Sequence, residues 1–153
     1  MFDGLDQELN VFLALWRTAA LATADADGAP HAANIQFVHT DGFELVWVSS
    51  RAARHSLDLV QRPACAMAIY AHNDNPEAIH GLQLTGTAGE LRGDARARAV
   101  NQHGAKYTFV RETPALQAAV EKQGVYRFEA RRVRFIDNRR GFGWKREWSL
   151  EGL

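Results

Sequence analysis

The residues best suited to chemistry form one short run, Ser49-Ser50-Arg51-Ala52-Ala53-Arg54-His55. It lies where a strand-like apolar segment hands over to a helical one. The first turn of a helix offers unpaired N–H groups and a partial positive charge to an anion. Two serine hydroxyls add donors, and Arg51 and Arg54, three apart on the predicted helix, share a face. His55 adds a ring nitrogen able to donate. The set suits a terminal phosphate, which Arg meets with parallel N–H donors. The same run also reads as a helix capped by Ser50 with its arginines in solvent.

A second candidate group is Asn34 and Gln36, which alternate with Ala33, Ile35 and Phe37. Alternation places the amides on one strand face and the apolar side chains on the other. Amides both donate and accept, so that face suits the polar edge of a planar ligand or an ordinary solvated surface. A third is the tail Trp144-Lys145-Arg146-Glu147-Trp148, where aromatics could fill a subunit contact. No metal is expected: His31 and His39 share a strand face but lie roughly 26 Å apart along it. His72, Asp74 and His80 flank one loop without ligand spacing. Cys65, the only cysteine, sits in an apolar run and reads as a small buried side chain. No G-x-S-x-G motif marks a nucleophile. The basic run in 127–146 comes without a nucleic-acid motif, so nucleic acid is not expected as a partner.

These groups need a scaffold. The chain has 153 residues, 46% apolar and 24% charged, which is one globular domain spanning 1–153. Charge balances overall, with 18 Lys+Arg against 18 Asp+Glu. By count, residues 1–90 hold 4 basic against 11 acidic groups and residues 91–153 hold 14 against 7, giving halves of −7 and +7. Such halves suit a two-fold dimer whose unlike surfaces pair reciprocally. The start MFDGLDQELN is acidic, so no signal peptide is expected, and no apolar run approaches membrane-span length. A cytoplasmic protein away from membranes is the expectation.

Leu5, Leu9, Phe12, Leu13 and Trp16 predict an amphipathic helix over 5–16. TAALATA, PHAANIQFVH and FELVWVSS, joined by DADG and TDG, predict an antiparallel meander. A helix over 51–61 with Ser50 as N-cap ends at Pro63. PACAMAIYA and HGLQLTGTAGEL continue the sheet, helices follow over 93–105 and 113–122, and VYRFEARRVRFIDN is the last strand. Its apolar residues break step near Ala130, which predicts a bulge. The chain is thus mainly β with flanking helices.

The order LATADADGAPHAANIQFVHTDGFELVWVSSRAARHSLDLVQRPACAMAI, followed by LTGTAGEL, resembles the pyridoxamine 5′-phosphate oxidase-like family of FMN-binding split β-barrels over residues 18–91 and on to the last strand. The ending RFIDNRRGFGWKREW is similar to that of a small bacterial subgroup with Asp-Asn-x-x-Gly-Phe-Gly near the C-terminus. The resemblance implies a six-stranded antiparallel split barrel and a homodimer with FMN at the subunit interface. It implies an oxidoreductase acting on a small molecule. On it, Ser49, Ser50, Arg51, Arg54 and His55 would hold the FMN phosphate, Asn34 and Gln36 would line the ring, and Trp144 and Arg146 would reach the site from the partner. Three features depart from true pyridoxamine phosphate oxidases: Arg54-His55 replaces Arg-Lys, AANIQF replaces an Arg-x-Val-Leu-Leu-Lys strand, and the Arg-Leu-x-Pro ending is missing. Vitamin B6 oxidation is therefore not expected. Members of the family that bind haem or a deazaflavin, or a ligand-free interaction protein, are the alternatives.

Overall fold

The computed structural model describes residues 2–151. The elements in chain order are α1 (Asp6–Leu15), β1 (Thr18–Ala24), β2 (Pro30–His39), β3 (Glu44–Ser49), α2 (Arg54–Gln61), β4 (Ala64–Ala71), β5 (His80–Glu90), α3 (Gly93–Lys106), α4 (Thr108–Glu112), α5 (Pro114–Lys122), β6 (Gly124–Asp137) and β7 (Lys145–Ser149), with 3₁₀ turns at Pro76–Ala78 and Asn138–Arg140. The sheet runs β3-β2-β1-β4-β5-β6-β7, and β3 also pairs with β6, so six antiparallel strands close into a barrel and β7 is an extra strand on β6. No helix among the described residues is long and apolar enough to cross a membrane.

Strand alternation explains the interior. Ile35, Phe37, Leu45, Trp47, Met67, Ile69, Leu82, Leu84, Phe128, Val133 and Phe135 are buried in one cluster, and α1 adds Leu9, Phe12 and Leu13 to it. Trp47 and Tyr126 stack at 5.5 Å with 19° between their planes. The offset stack contributes beyond the area that the rings bury.

The 14-residue β6 serves both halves of the fold. Its first half closes the barrel through Glu44↔Glu129 to Ser49↔Gly124, and its second half carries β7 from Arg132↔Ser149 to Ile136↔Lys145. Between them the pairing with β5 jumps from Thr85↔Arg132 to Gly86↔Ala130, leaving Arg131 unpaired with β5. This is the bulge expected near Ala130. A bulge bends its strand and sharpens the twist, which lets one strand leave the barrel and begin a second pairing. Gly86 sits at the bend, and a Cβ there would run into the Glu129 carbonyl oxygen. Gly86→Ala must therefore move backbone, and a cost of roughly 3 kcal/mol is expected. For a domain of this size that lowers Tm by roughly 6–12 °C, readable in a thermal melt.

The six-stranded barrel stands, and several details around it differ from expectation. The chain has a seventh strand, β7, and an additional short helix, α4. The helix after β3 begins at Arg54, not at residue 51, and its N-cap position is Ala53 with no side-chain cap. Ser50 instead accepts the Ala52 N–H at 3.1 Å, a local turn bond that holds the backbone out of helical conformation for three more residues. Thr113 sits at the N-cap position of α5 before Pro114, but its side chain makes no cap bond.

Candidate functional site

Helix α2 is tied to the β1–β2 hairpin at three points, and these ties aim its first turn. Asp25 builds the hairpin turn by accepting the N–H groups of Asp27 and Ala29 on Oδ1, at 3.0 and 2.9 Å. Gly28 supplies the positive φ of +87° that the turn requires. The other oxygen of Asp25 lies 3.7 Å from the Arg54 guanidinium. At the far end of α2, Arg62 donates to the Ala26 carbonyl at 2.9 Å. In the middle, the Thr23 hydroxyl donates to Asp58 at 2.7 Å, with both residues buried. The Thr23 hydroxyl gives the buried Asp58 carboxyl group a hydrogen-bond partner, as a buried polar group requires.

The start of α2 gathers the phosphate candidates. Ser49 Oγ and His55 Nε2 share a hydrogen bond at 2.9 Å. Ser49 has the same strand parity as the core residues Leu45 and Trp47, so it lies on the inward face of β3 at its half-buried end. Burial, with the charge of His31 added, holds the His55 imidazole below its ordinary value against the pull of Asp58. The first-turn N–H groups of α2 have no side-chain cap. Arg54 remains about half exposed. Arg51 is used differently: it does not lie on the helix, its Nε donates to Glu90 at 2.6 Å, and another nitrogen donates to the Lys122 carbonyl at 3.1 Å. It braces the end of β5 against the end of α5. Arg51 and Arg54 thus do not share a helix face as expected from their spacing.

Asn34 and Gln36 are exposed on the outward face of β2, the face opposite the one on which Ser49 lies in β3. Strand register shows what accompanies them. A row crosses six strands as Asn34, Ala20, Ala68, Gln83, Arg134 and Glu147. The next row is Ala32, Ala22, Ala66, Thr85, Arg132 and Ser149. The outer wall is therefore a floor of alanines with an amide at each side, Asn34 and Gln83. Beyond Gln83 a depression of about 260 Å³ is lined by Gln83, Thr85, Arg132, Arg134 and Glu147. Sequence reasoning found the amide at Asn34 and missed Gln83, Thr85, Arg132 and Arg134. The alternation in LQLTGT shows their parity, but their place beside Asn34 depends on the register of three intervening strand pairs.

The C-terminal aromatics are engaged within their own chain. Trp144 packs edge-on against Phe135, with centroids 6.0 Å apart, and lies between the Arg140 and Arg146 guanidiniums at 5.2 and 5.1 Å. Trp148 donates its indole N–H to Asp3 at 3.2 Å and packs edge-on against Phe2. The Asp-Asn-x-x-Gly-Phe-Gly segment is a clasp. Asp137, 1% exposed, accepts from Arg139 at 2.7 and 3.0 Å and from Arg140 at 2.9 Å. Both arginines also reach Glu8 of α1. Asn138 donates to the Pro76 carbonyl and accepts the Gly143 N–H, at 2.7 and 3.0 Å. The opposite charges of the two sequence halves thus meet partly inside the chain. Cys65 is half-buried, and burial pushes its thiol up to about 12. Among the described residues no group of His, Cys, Asp or Glu could hold a metal ion.

A closed six-stranded barrel with an extra strand, flanking helices and a basic, hydroxyl-rich end of β3 defines the split-barrel class. The chain matches the family model for pyridoxamine 5′-phosphate oxidase over residues 5–137 and belongs to that family. No curated protein sequence matches it. Among solved structures it is similar to a haem-binding protein from Mycobacterium smegmatis, with 23% identity, a TM-score of 0.77, and coverage of 97% of this chain and 59% of that one. It is similar to ChuZ from Campylobacter jejuni, with 18% identity, a TM-score of 0.80, and coverage of 98% and 61%. It is also similar to HutZ, a haem storage protein from Vibrio cholerae, with 21% identity, a TM-score of 0.69, and coverage of 82% and 89%. The chain spans about three fifths of the length of the first two. These likenesses show the fold.

Proposed function

We propose that the chain binds FMN and acts as a flavin-dependent oxidoreductase on a small molecule other than pyridoxamine phosphate, as a homodimer with the cofactor at the subunit interface. The observation that carries this reading is the gathering of Ser49, Ser50, Arg54 and His55 at the uncapped start of α2. A phosphate dianion needs a cation, hydroxyl donors and free N–H groups, and all three kinds are present there. The alanine-floored outer wall fits a flat ring, with Asn34 and Gln83 as edge donors and acceptors. Because that wall and the interior-facing Ser49 lie on opposite faces of the sheet, a second copy supplying its own wall or edge is what completes a site. When bound, FMN supplies the electron chemistry, and the protein supplies position and electrostatics. Arg54 holds negative charge at the phosphate end, and His55, neutral at the start, gains a proton more readily beside an anion.

The second reading is haem in place of FMN. It is favoured by the names of two of the similar structures, a haem-binding and a haem storage protein. An absorption spectrum of the freshly purified protein separates the two readings, since flavin bands and a Soret band do not overlap in form. Added FMN is expected to raise Tm, because a ligand of the folded state alone stabilises it by about 2.7 kcal/mol at a hundred times its Kd. A colourless protein whose melting curve ignores FMN and haem would remove both readings.

A further inference from the structure

Two buried side-chain polar atoms have no hydrogen-bond partner among the described residues, Trp47 Nε1 and Ser56 Oγ. Trp47 is a core residue stacked on Tyr126, so packing accounts for its burial. Ser56 has no such account. Its side chain is small and polar, and the residue is only 1% exposed. The helix that carries it, α2, turns Leu57 and Val60 outward, 56% and 77% exposed. A buried hydroxyl without a partner destabilises the fold. Alanine would fill the same space and favour the helix more. The fold of α2 therefore gives no reason for the hydroxyl.

Its position gives one. The hydrogen-bond ladder of α2 begins with the Leu57 N–H, which donates to the Ala53 carbonyl at 3.0 Å. The N–H groups of Arg54, His55 and Ser56 precede that ladder, as the first N–H groups of any helix do. Ala53, at the N-cap, has no side chain to accept from them, and Ser50 is engaged with the Ala52 N–H. Ser56 is the third residue of the helix. Helical side chains tilt toward the N-terminus, so its hydroxyl leans back toward these N–H groups. Serine turns about a single torsion with three staggered positions, so its hydroxyl can meet an arriving anion without backbone movement. The nearest acid along the helix, Asp58, already accepts from Thr23 at 2.7 Å. His55 beside it is paired with Ser49 Oγ at 2.9 Å.

We propose that Ser56 is a further binding residue of this helix start and that it selects a terminal phosphate on the ligand. The proposal rests on the reading of α2 as the FMN phosphate end. A phosphate monoester presents three strong acceptor oxygens. Arg54 supplies the positive charge, the first-turn N–H groups meet one face of the phosphate, and the Ser56 hydroxyl donates one bond more. A residue with this role separates FMN from riboflavin, which carries the same ring without the phosphate.

The test compares wild type with Ser56→Ala against three probes: FMN and riboflavin by flavin fluorescence, and inorganic phosphate by thermal melts. Ser56→Ala is expected to weaken FMN roughly 10-fold, the loss of one hydrogen bond to a charged group, and to leave riboflavin unchanged. It is also expected to remove the rise in Tm that phosphate gives wild type. Without added ligand its Tm should be no lower than that of wild type, because the hydroxyl has no partner in the fold. Equal FMN affinity in the two proteins overturns the proposal, and so does a proportionate loss of riboflavin. A lower Tm of the variant with unchanged FMN affinity assigns the hydroxyl to the fold, through a bound water, and overturns it too. If wild type binds no FMN, but phosphate raises its Tm and Ser56→Ala cancels the rise, the flavin reading fails and the assignment of Ser56 stands. If phosphate has no effect either, both fail.

Discussion

Arg54→Ala is expected to weaken FMN binding roughly 10- to 100-fold, the range that follows from losing a charge-assisted hydrogen bond worth about 1.5–3 kcal/mol. Of the two arginines in the run, Arg54 is the one free to do this. Arg51 already spends two nitrogens on Glu90 and the Lys122 carbonyl, so Arg51→Ala is expected to act first on stability. Arg54 has only a loose contact, 3.7 Å, with Asp25, and it sits on the first turn of α2 beside uncapped N–H groups. The contact with Asp25 is exposed and contributes little to stability. Fold and binding should therefore separate: Arg54→Ala leaves Tm of the ligand-free protein nearly unchanged while the fluorescence titration with FMN shifts. An unchanged affinity would remove Arg54 from the phosphate site.

A loss of stability as large as that of Gly86→Ala is expected from Asp137→Ala. The carboxylate is buried and accepts from both Arg139 and Arg140, which in turn hold Glu8 of α1. Removing it leaves two guanidiniums facing one remaining acid at the junction of β6, β7 and α1. Breaking a buried pair costs roughly 3–5 kcal/mol, and the lower end applies because Arg139 and Arg140 are 45% and 38% exposed. At about 2–4 °C per kcal/mol, Tm should fall by roughly 6–12 °C. The same group sets an acid dependence. Burial alone would push Asp137 up, but the hydrogen bonds and charge of Arg139 and the bond from Arg140 outweigh it, so the carboxyl titrates below its ordinary 3.8. A group whose folded value is depressed adds stability that is fully present above its unfolded value. That stability is lost as pH falls through the folded value. Wild type should therefore lose more stability than Asp137→Ala between neutral pH and pH values below 3.8, as measured by urea unfolding at each pH.

How much of this was legible follows from the range of each interaction. The hairpins were legible because DADG and TDG carry their turn chemistry locally, and Asp25 makes the bonds that its position suggests. The bulge was legible because a break in alternation is a local event, and it falls at Arg131. The start of α2 was misplaced because Ser50 has one hydroxyl and two local uses. It could cap a helix or close a turn, and it closes the turn through the Ala52 N–H. Strand β7 was missed because KREWS holds a single apolar residue, Trp148, whose packing partner Phe2 lies at the other end of the chain. The contact of Arg51 with Glu90 was not legible for the same reason, since Glu90 belongs to a different strand. Half of the outer wall was visible at Asn34. Its companion Gln83 was not, because only the register of β2, β1, β4 and β5 sets the two in one row.

The most direct test of the central claim is an equilibrium titration of FMN into the purified protein, followed by flavin fluorescence and repeated with Arg54→Ala. Saturable binding that weakens roughly 10- to 100-fold in the variant is the predicted result. An absence of binding to the wild-type protein, or equal binding to both, would contradict it.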